Sequence, residues 1–321
     1  MATKDMDASL ERKSKQPGNG RVILIAGPTA SGKSAFALNV AASCDGVIVN
    51  ADSMQLYQDL RIVSARPSAE EENLVPHRLY GILPASTAFS TGAWLRRAST
   101  EIAGLRADGK VPVVVGGTGL YFKGLTEGFA DMPDIPDDVR RAARDLCDRE
   151  GVEGLRAALA REGDGEAAVT LNDPQRLSRA LEVIVATGKP LSSWQASAQT
   201  APFLSGNECV RIVLAPPRPW LHARIEQRAR LMLSDEGIGE VRALLEKELS
   251  PQLPAMRAIG VAEIRDFLSG ETGYEETVHR LTVATRQYAK RQETWFRNQM
   301  TDWQRIDPSE GIGADEIVAQ I

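Results

Sequence analysis

Lys33 and Ser34 close the run Gly27-Pro28-Thr29-Ala30-Ser31-Gly32-Lys33-Ser34. This is G-x-x-x-x-G-K-[ST] without a mismatch, the pattern of a loop that wraps phosphate groups. Its chemistry dictates its spacing. Glycines at both ends let the backbone curl until several N–H groups converge on one anion. The helix that follows adds its positive end, Lys33 adds a point charge, and the Ser34 hydroxyl can ligate Mg²⁺. A Gly-Ser turn can match by chance, but the apolar run Val22–Ala26 before it and the helical pattern of residues 33–42 after it supply the context that the motif requires. The loop predicts a site for a di- or triphosphate and leaves open which one.

Four other groups of residues could meet that loop. Asp52 and Ser53 follow the apolar run Val47–Ala51, and ligands bind at the C-terminal edge of an open parallel sheet. Asp52 is therefore expected near the phosphate loop; its other reading is a cap on a short helix over Ser53–Leu60. Gly116-Gly117-Thr118-Gly119 ends the strand-like run Lys110–Val115 and opens a helix. Its backbone N–H groups and the Thr118 hydroxyl are expected to approach a ligand closely, with a plain tight turn as the alternative. Arg224 and Arg228 stand four apart on a helix, and their guanidinium forks suit a pyrophosphate unless Glu226 pairs them at the surface. Arg286, Lys290, Arg291 and Arg297 face only one acid, Glu293, with Tyr288, Trp295 and Phe296 interleaved. Cations for phosphates and rings for bases are what single-stranded RNA contacts require. A solvated helix face with its rings in the core would explain the aromatics but not the clustered charge.

One absence narrows the chemistry. Phosphate-loop NTPases usually have a strand ending in an Asp that holds Mg²⁺ through water. Here the run Val111-Pro-Val-Val-Val115 ends in Gly-Gly, and the one strand that ends in an acid delivers Asp52, too early for that layout.

The elements that position these groups read as an α/β fold: a phosphate-loop type parallel sheet flanked by helices, with an all-helical insertion. Buried strands are expected at residues 22–26, 47–51, 110–115 and 210–215, and a further one at 77–83. Helices are expected at 89–105, 137–150, 152–161, 172–185, 262–268 and 274–298, besides those after the phosphate loop, after the Gly-rich turn and from Trp220. No strand pattern occurs between 131 and 205. The expected division is a disordered tail at 1–20, a catalytic core at 21–130 and 206–321, and a helical insertion at 131–205 that binds RNA.

Composition sets the outer limits. The 321 residues are 43% hydrophobic and 25% charged, ordinary for a soluble protein. No apolar run approaches the ~20 residues that span a bilayer, and the first twenty residues lack a signal-peptide core. Cys44, Cys147 and Cys209 are isolated, which fits a reducing cytoplasm and neither a zinc site nor a disulfide framework. With a net charge of −5, any nucleic-acid surface must be a local patch. A monomer is expected.

Taken together, GPTASGKS, NADSMQLY, ARP, GGTGLYFKGL, NDPQRLSRALEV, AIG and RQYAKRQETWFRNQ occur in the order found in bacterial tRNA dimethylallyltransferases, and the chain resembles that family from about Arg21 to Asn298. The resemblance implies transfer of a dimethylallyl group from dimethylallyl pyrophosphate to N6 of adenosine 37, 3′ of the anticodon, in tRNAs reading codons that start with U. It implies that Thr29 to Ser34 hold pyrophosphate and Mg²⁺, and that Asp52 takes the N6 proton. It places Thr118 and Arg140 at tRNA-interaction sites. Asp52, Ser53, Met54 and Gln55 match one stretch that contacts tRNA. A second is matched by Gln175, Arg176, Leu177, Ser178 and Arg179, and a third by Met256, Arg257, Ala258, Ile259, Gly260 and Val261. Asp52, Thr118 and Lys33 form the candidate catalytic set. The chain departs from the family pattern at Val63-Ser64, where Gly-Thr is expected, at Arg66 in place of Lys, and at Val261 in place of Tyr. It lacks the C-terminal zinc-finger cysteines of the eukaryotic form.

Three other readings compete. An adenylate isopentenyltransferase would use AMP, ADP or ATP as acceptor, but would need neither the helical insertion nor the basic helix. A small-molecule kinase is disfavoured by the Gly-Gly strand end. A non-catalytic RNA-binding protein would not need an intact Gly-Lys-Ser beside a strand-end Asp.

Overall fold

The computed structural model describes residues 20–129, 134–196, 201–310 and 313–320; the tail expected at 1–20 lies outside them except for Gly20. The chain divides into two compact units. One comprises the residues up to Leu125 and those from Leu204 on, and the other is Thr126–Phe203.

The first unit is built on a six-stranded parallel sheet. β1 (Val22–Ala26) runs into the phosphate loop, which feeds α1 (Lys33–Ser43). β2 (Gly46–Asn50), α2 (Ala69–Leu74), β3 (His77–Arg78), α3 (Thr91–Ala107), β4 (Val111–Gly116) and α4 (Gly119–Glu127) follow. The strand order is β3-β2-β4-β1, continued by two strands from beyond the insertion. All five β1 residues are fully buried, as are Val113, Ile212 and Leu214 beside them, which is why these strands are unbroken apolar runs. Ala37 and Val40 of α1 close over this core.

The second unit has its own core. α5 (Asp137–Arg161) packs on α7 (Pro174–Thr187), with α6 (Gly165–Thr170) and α8 (Leu191–Ala196) beside them. The two helices expected at 137–150 and 152–161 join with a break at Gly151, whose φ of 64° only glycine adopts at no cost. Asp173 caps α7 by accepting from the Arg176 N–H at 3.0 Å, and Pro174 occupies its first turn. Leu155, Leu159, Leu177 and Ala180 form the centre of this core, each wholly buried.

The chain returns to the sheet as β5 (Cys209–Leu214). α9 (Arg218–Met232), α10 (Asp235–Leu245), α11 (Val261–Leu268), α12 (Tyr274–Gln299), β6 (Gln304–Ile306) and α13 (Ala314–Val318) complete it. Four expectations are corrected here. Residues 53–60 form no helix: only a 3-10 turn over Met54–Leu56 occurs, and Tyr57 then bridges to Leu83. The strand expected at 77–83 stops at Arg78, because Leu79 (φ 64°) and Gly81 (φ 57°) turn left-handed. α10 was not expected. A strand beyond the expected ones also appears after α12: Gln304–Ile306 pairs in parallel with Ile212–Leu214 as the edge strand β6.

Candidate active site

β1 delivers the phosphate loop at the sheet's C-terminal edge. Ala30 (φ 64°) and Gly32 (φ 80°) take left-handed backbone and curl the chain, and the Ser31 N–H donates to the Pro28 carbonyl at 3.2 Å. A Cβ on Gly27 would stand 2.7 Å from Ser31 Oγ. Gly32 leaves the start of α1 without a side-chain cap, so its first N–H groups are open to an anion. The Ser31 hydroxyl is wholly buried and has no partner among the described residues. Lys33 is 8% exposed, with Nζ donating to the Pro28 carbonyl at 3.3 Å. Burial lowers its pKa to about 8; the nearby Arg228 lowers it too, and Asp52 opposes both.

β2 delivers Asp52 through a turn that Asn50 holds. The buried Asn50 amide accepts from the Asp52 N–H at 2.8 Å and donates to the carbonyls of Asp52 and Leu79, each at 3.0 Å. Asp52 Oδ1 accepts from the Met54 N–H at 3.0 Å, the capping contact that its other reading anticipated, which leaves Oδ2 for chemistry. Behind it, Thr118 Oγ1 accepts from the Ser53 N–H at 3.0 Å. Trp94 stacks on Tyr121 with ring centroids 4.0 Å apart and donates to the Asn50 carbonyl.

The Gly-rich turn after β4 packs closely against the rest of the first unit. Its glycines meet protein. A Cβ on Gly116 would stand 2.0 Å from the Ala51 carbonyl oxygen, one on Gly117 2.3 Å from Gln292 Nε2, and one on Gly119 2.2 Å from the Trp295 ring. The Thr118 side chain is likewise spent on the Asp52 turn and does not line the cavity described next.

A cavity of about 290 Å³ opens where these edges meet α9, the 256–261 turn and α12. Thr29, Lys33, Asp52, Ser53, Met54, Gln55, Arg228, Arg257, Ala258, Ile259 and Arg291 line it together, and Asp52 is the only acid among the described residues that do. Val63, Met232 and Tyr288 supply apolar wall. Arg228 donates to Thr29 Oγ1 at 2.6 Å and to the Val63 carbonyl at 3.2 Å; its Nε is buried without a partner, and burial lowers its pKa from the usual arginine value. Arg224 is more exposed, stacks over Trp220 and donates to the Ala30 carbonyl at 3.0 Å. Gln55 is buried and its Nε2 donates to the Ser64 and Ala65 carbonyls, which uses its donors and leaves Oε1 as the acceptor open to a ligand.

The remaining candidates lie elsewhere. Ser34 stands in the first turn of α1, outside the lining of the cavity. Met256, Gly260 and Val261 frame the 256–261 turn; Val261 is buried, and Gly260 (φ 110°) packs against Met232 and Val63. On α12, Phe296 is core, Arg286 is exposed, and Lys290, Arg291 and Trp295 border an open groove of about 520 Å³. In the helical unit, Gln175 and Arg176 are exposed, Ser178 is half-buried, Arg179 pairs with Glu182, and Arg140 lies 3.9 Å from Asp137. Leu177 is wholly buried in that unit's core, so its side chain offers a ligand nothing.

Three positioning groups escaped the sequence reading. They are Asn50, Gln292 and Glu240, whose carboxylate accepts from the N–H groups of Arg61, Ile62 and Val63 at 2.7–3.1 Å. The available signal was a polar residue at a position that strand or helix periodicity makes inward-facing, as Asn50 is at the end of Val-Ile-Val-Asn.

Comparison with known proteins agrees with this geometry. The family model described as IPP transferase matches residues 55–299, and that described as isopentenyl transferase matches residues 20–82. A tRNA dimethylallyltransferase of Rhodopseudomonas palustris is 48% identical over 97% of this chain and 96% of its own length. That of Agrobacterium fabrum is 50% identical over 90% and 98%. Among solved structures, a tRNA isopentenylpyrophosphate transferase of Bacillus halodurans superposes with a TM-score of 0.63 at 32% identity, covering 90% of each chain. A eukaryotic dimethylallyltransferase studied acting on tRNA gives a TM-score of 0.71 at 26% identity, over 89% of this chain and 73% of that one. The chain belongs to the IPP transferase family, whose members found here are tRNA dimethylallyltransferases.

Proposed function

We propose that this protein transfers a dimethylallyl group from dimethylallyl pyrophosphate to N6 of adenosine 37 in tRNAs that read codons starting with U. One observation carries the reading: a single cavity holds the phosphate loop's Thr29 and Lys33, the half-buried Arg228 and the lone acid Asp52, and Arg291 of the basic helix borders it. A kinase has no use for a base facing the transferred group without a metal-holding strand-end acid, and a nucleotide acceptor has no use for a basic helix at the mouth.

The residues divide the work. The N6 lone pair attacks C1 of the dimethylallyl group, the C1–O bond breaks, and its electron pair leaves with pyrophosphate. Lys33, Arg228 and the open N–H groups at the start of α1 would stabilise the charge that develops there. The orphaned Ser31 hydroxyl and Arg228 Nε are polar atoms that a bound pyrophosphate would satisfy. Asp52 Oδ2 accepts the proton that N6 gives up. Val63, Met232 and Ile259 offer the apolar wall that suits a dimethylallyl tail. Mg²⁺ fits the donor set: no cluster of three or more His, Cys, Asp or Glu among the described residues could hold a metal, and Mg²⁺ takes its ligands chiefly from phosphate and water, with Ser34 as its protein hydroxyl. When bound it would neutralise charge on the leaving pyrophosphate.

For the tRNA anticodon stem-loop, Arg257, Arg286, Lys290 and Arg291 are the cations on the first unit, and Arg140, Arg176 and Arg179, with the neutral amide of Gln175, are those presented by the helical unit. The target base must unstack to reach Asp52. We propose a monomer as the working unit. Incubation with Mg²⁺, labelled dimethylallyl pyrophosphate and unmodified tRNA should label the RNA, and not a tRNA with guanosine at position 37. Label in AMP but not in tRNA would overturn the reading.

A further inference from the structure

Gln292 ties the phosphate loop to the Gly-rich turn, the one side chain among the described residues that bonds to both. It is 5% exposed. Its Oε1 accepts from the Thr29 N–H at 2.8 Å, and its Nε2 donates to the Gly117 carbonyl at 2.9 Å. Both ends of the amide are thus used, and the turn is shaped around it, since a Cβ on Gly117 would fall 2.3 Å from Nε2. Thr29 is gripped from its other side by Arg228, which donates to Oγ1 at 2.6 Å. Gln292 lies on the α12 face that also carries Thr285 and Tyr288, both of which line the cavity.

We propose that Gln292 is a positioning residue for alkyl transfer: through Thr29 it sets both the shape of the phosphate loop and the seat of the Arg228 guanidinium, and it holds the helix that faces the acceptor in register with the loop that holds the donor. The inference rests on the function proposed above, but its first readout does not need transfer. The amide is anchored to the backbone of two neighbouring turns, and the Thr29 it grips forms part of the cavity wall, so its loss disturbs the donor end of the site rather than the bulk of the core. Met is close in volume and makes neither bond; the buried Thr29 N–H and Gly117 carbonyl would then be left unpaired.

The test compares wild type, Gln292→Met and Gln292→Glu in the full chain. Calorimetric binding of inorganic pyrophosphate with Mg²⁺ is measured first, and transfer kinetics second. Gln292→Met is expected to weaken pyrophosphate binding about tenfold and to lower kcat by about tenfold or more, with affinity for an anticodon stem-loop within twofold of wild type. Gln292→Glu separates positioning from packing. Its carboxylate still accepts from Thr29 but repels the Gly117 carbonyl, whereas its protonated form restores both bonds. The charged groups lining the adjoining cavity are Lys33, Asp52, Arg228, Arg257 and Arg291, with the Tyr288 phenol on the same helix. Pyrophosphate affinity of Gln292→Glu relative to wild type should therefore recover as pH falls, a profile that Gln292→Met lacks. If Gln292→Met does not fold, Gly117→Ala, which pushes on the same amide, should reproduce the loss of pyrophosphate binding. Folded variants that bind pyrophosphate and turn over within twofold of wild type would overturn the proposal. A wild-type protein that binds pyrophosphate but labels no tRNA would overturn the function instead, while the binding comparison still decides the role of Gln292.

Discussion

At the scale of single residues, the site sets the Lys33 ammonium and the Asp52 carboxylate in one cavity. Asp52 raises the Lys33 pKa, while burial pulls it down to about 8. A lysine whose pKa is lower in the folded state opposes folding while it is charged. That cost is full below about pH 8 and shrinks as the pH rises toward the ordinary value of 10.5. A bound pyrophosphate reverses the balance by favouring the ammonium. Above about pH 8, therefore, donor binding should be accompanied by proton uptake and should weaken as the pH climbs. Calorimetry in two buffers of different ionisation enthalpy measures this, and Lys33→Met should abolish the uptake attributable to the protein. Asp52→Asn keeps an oxygen for the Met54 N–H and so spares the turn, but removes the base. Transfer should fall by about 10²–10⁴-fold while pyrophosphate still binds. Single-turnover labelling of tRNA measures the first effect and calorimetry the second; unchanged transfer would remove Asp52 from the mechanism. These groups were legible in the sequence because Gly27–Ser34 and Asp52 sit in contiguous stretches whose local geometry is their function. Asn50 and Gln292 were not, because their worth lies in partners far along the chain: Gln292 bonds to Thr29 and to Gly117, 263 and 175 residues away.

Among the elements, the strands that carry the site were readable as apolar runs, and the turns between them were not. The strand at 77–83 looked regular by alternation, but Leu79 and Gly81 need left-handed backbone, and Asn50 holds the Leu79 carbonyl there. β6 is three residues with two exposed, so it carries no periodic signal; parallel pairing with β5 makes it a strand. The Gly-rich turn carries the clearest lesson. Its glycines suggested a ligand, yet they are needed because Ala51, Gln292 and Trp295 occupy the space that side chains would take. Gly116 has the least freedom, since its neighbour is backbone rather than a movable side chain. Gly116→Ala should cost about 3 kcal/mol, because β2 and β4 would have to part at the edge where Asp52 stands. Denaturant unfolding reads the loss as a lower midpoint; a midpoint equal to wild type would mean that the sheet edge yields easily.

On the scale of the whole molecule, the chain places its helical unit between β4 and β5, and that unit is built around a core of its own. Leu177, in the stretch expected to touch tRNA, serves that core instead, while its neighbours Gln175 and Arg176 are exposed. Periodicity marks such a helix as amphipathic but does not tell an RNA-facing polar side from a merely solvated one, so the division of labour between the units has to be tested by separating their functions. Leu177→Ala removes the centre of the second core, at about 2–5 kcal/mol for a buried leucine. If the helical unit serves the acceptor and the sheet unit the donor, this variant should bind pyrophosphate with wild-type affinity and lose affinity for the anticodon stem-loop. Arg176→Ala, which leaves the core intact, should weaken RNA binding more modestly and flatten its dependence on salt. Parallel titrations with pyrophosphate and with the stem-loop settle the matter. Loss of pyrophosphate binding in Leu177→Ala would show that the donor site depends on the second core, and wild-type RNA affinity in both variants would leave the acceptor to the basic face of α12 alone.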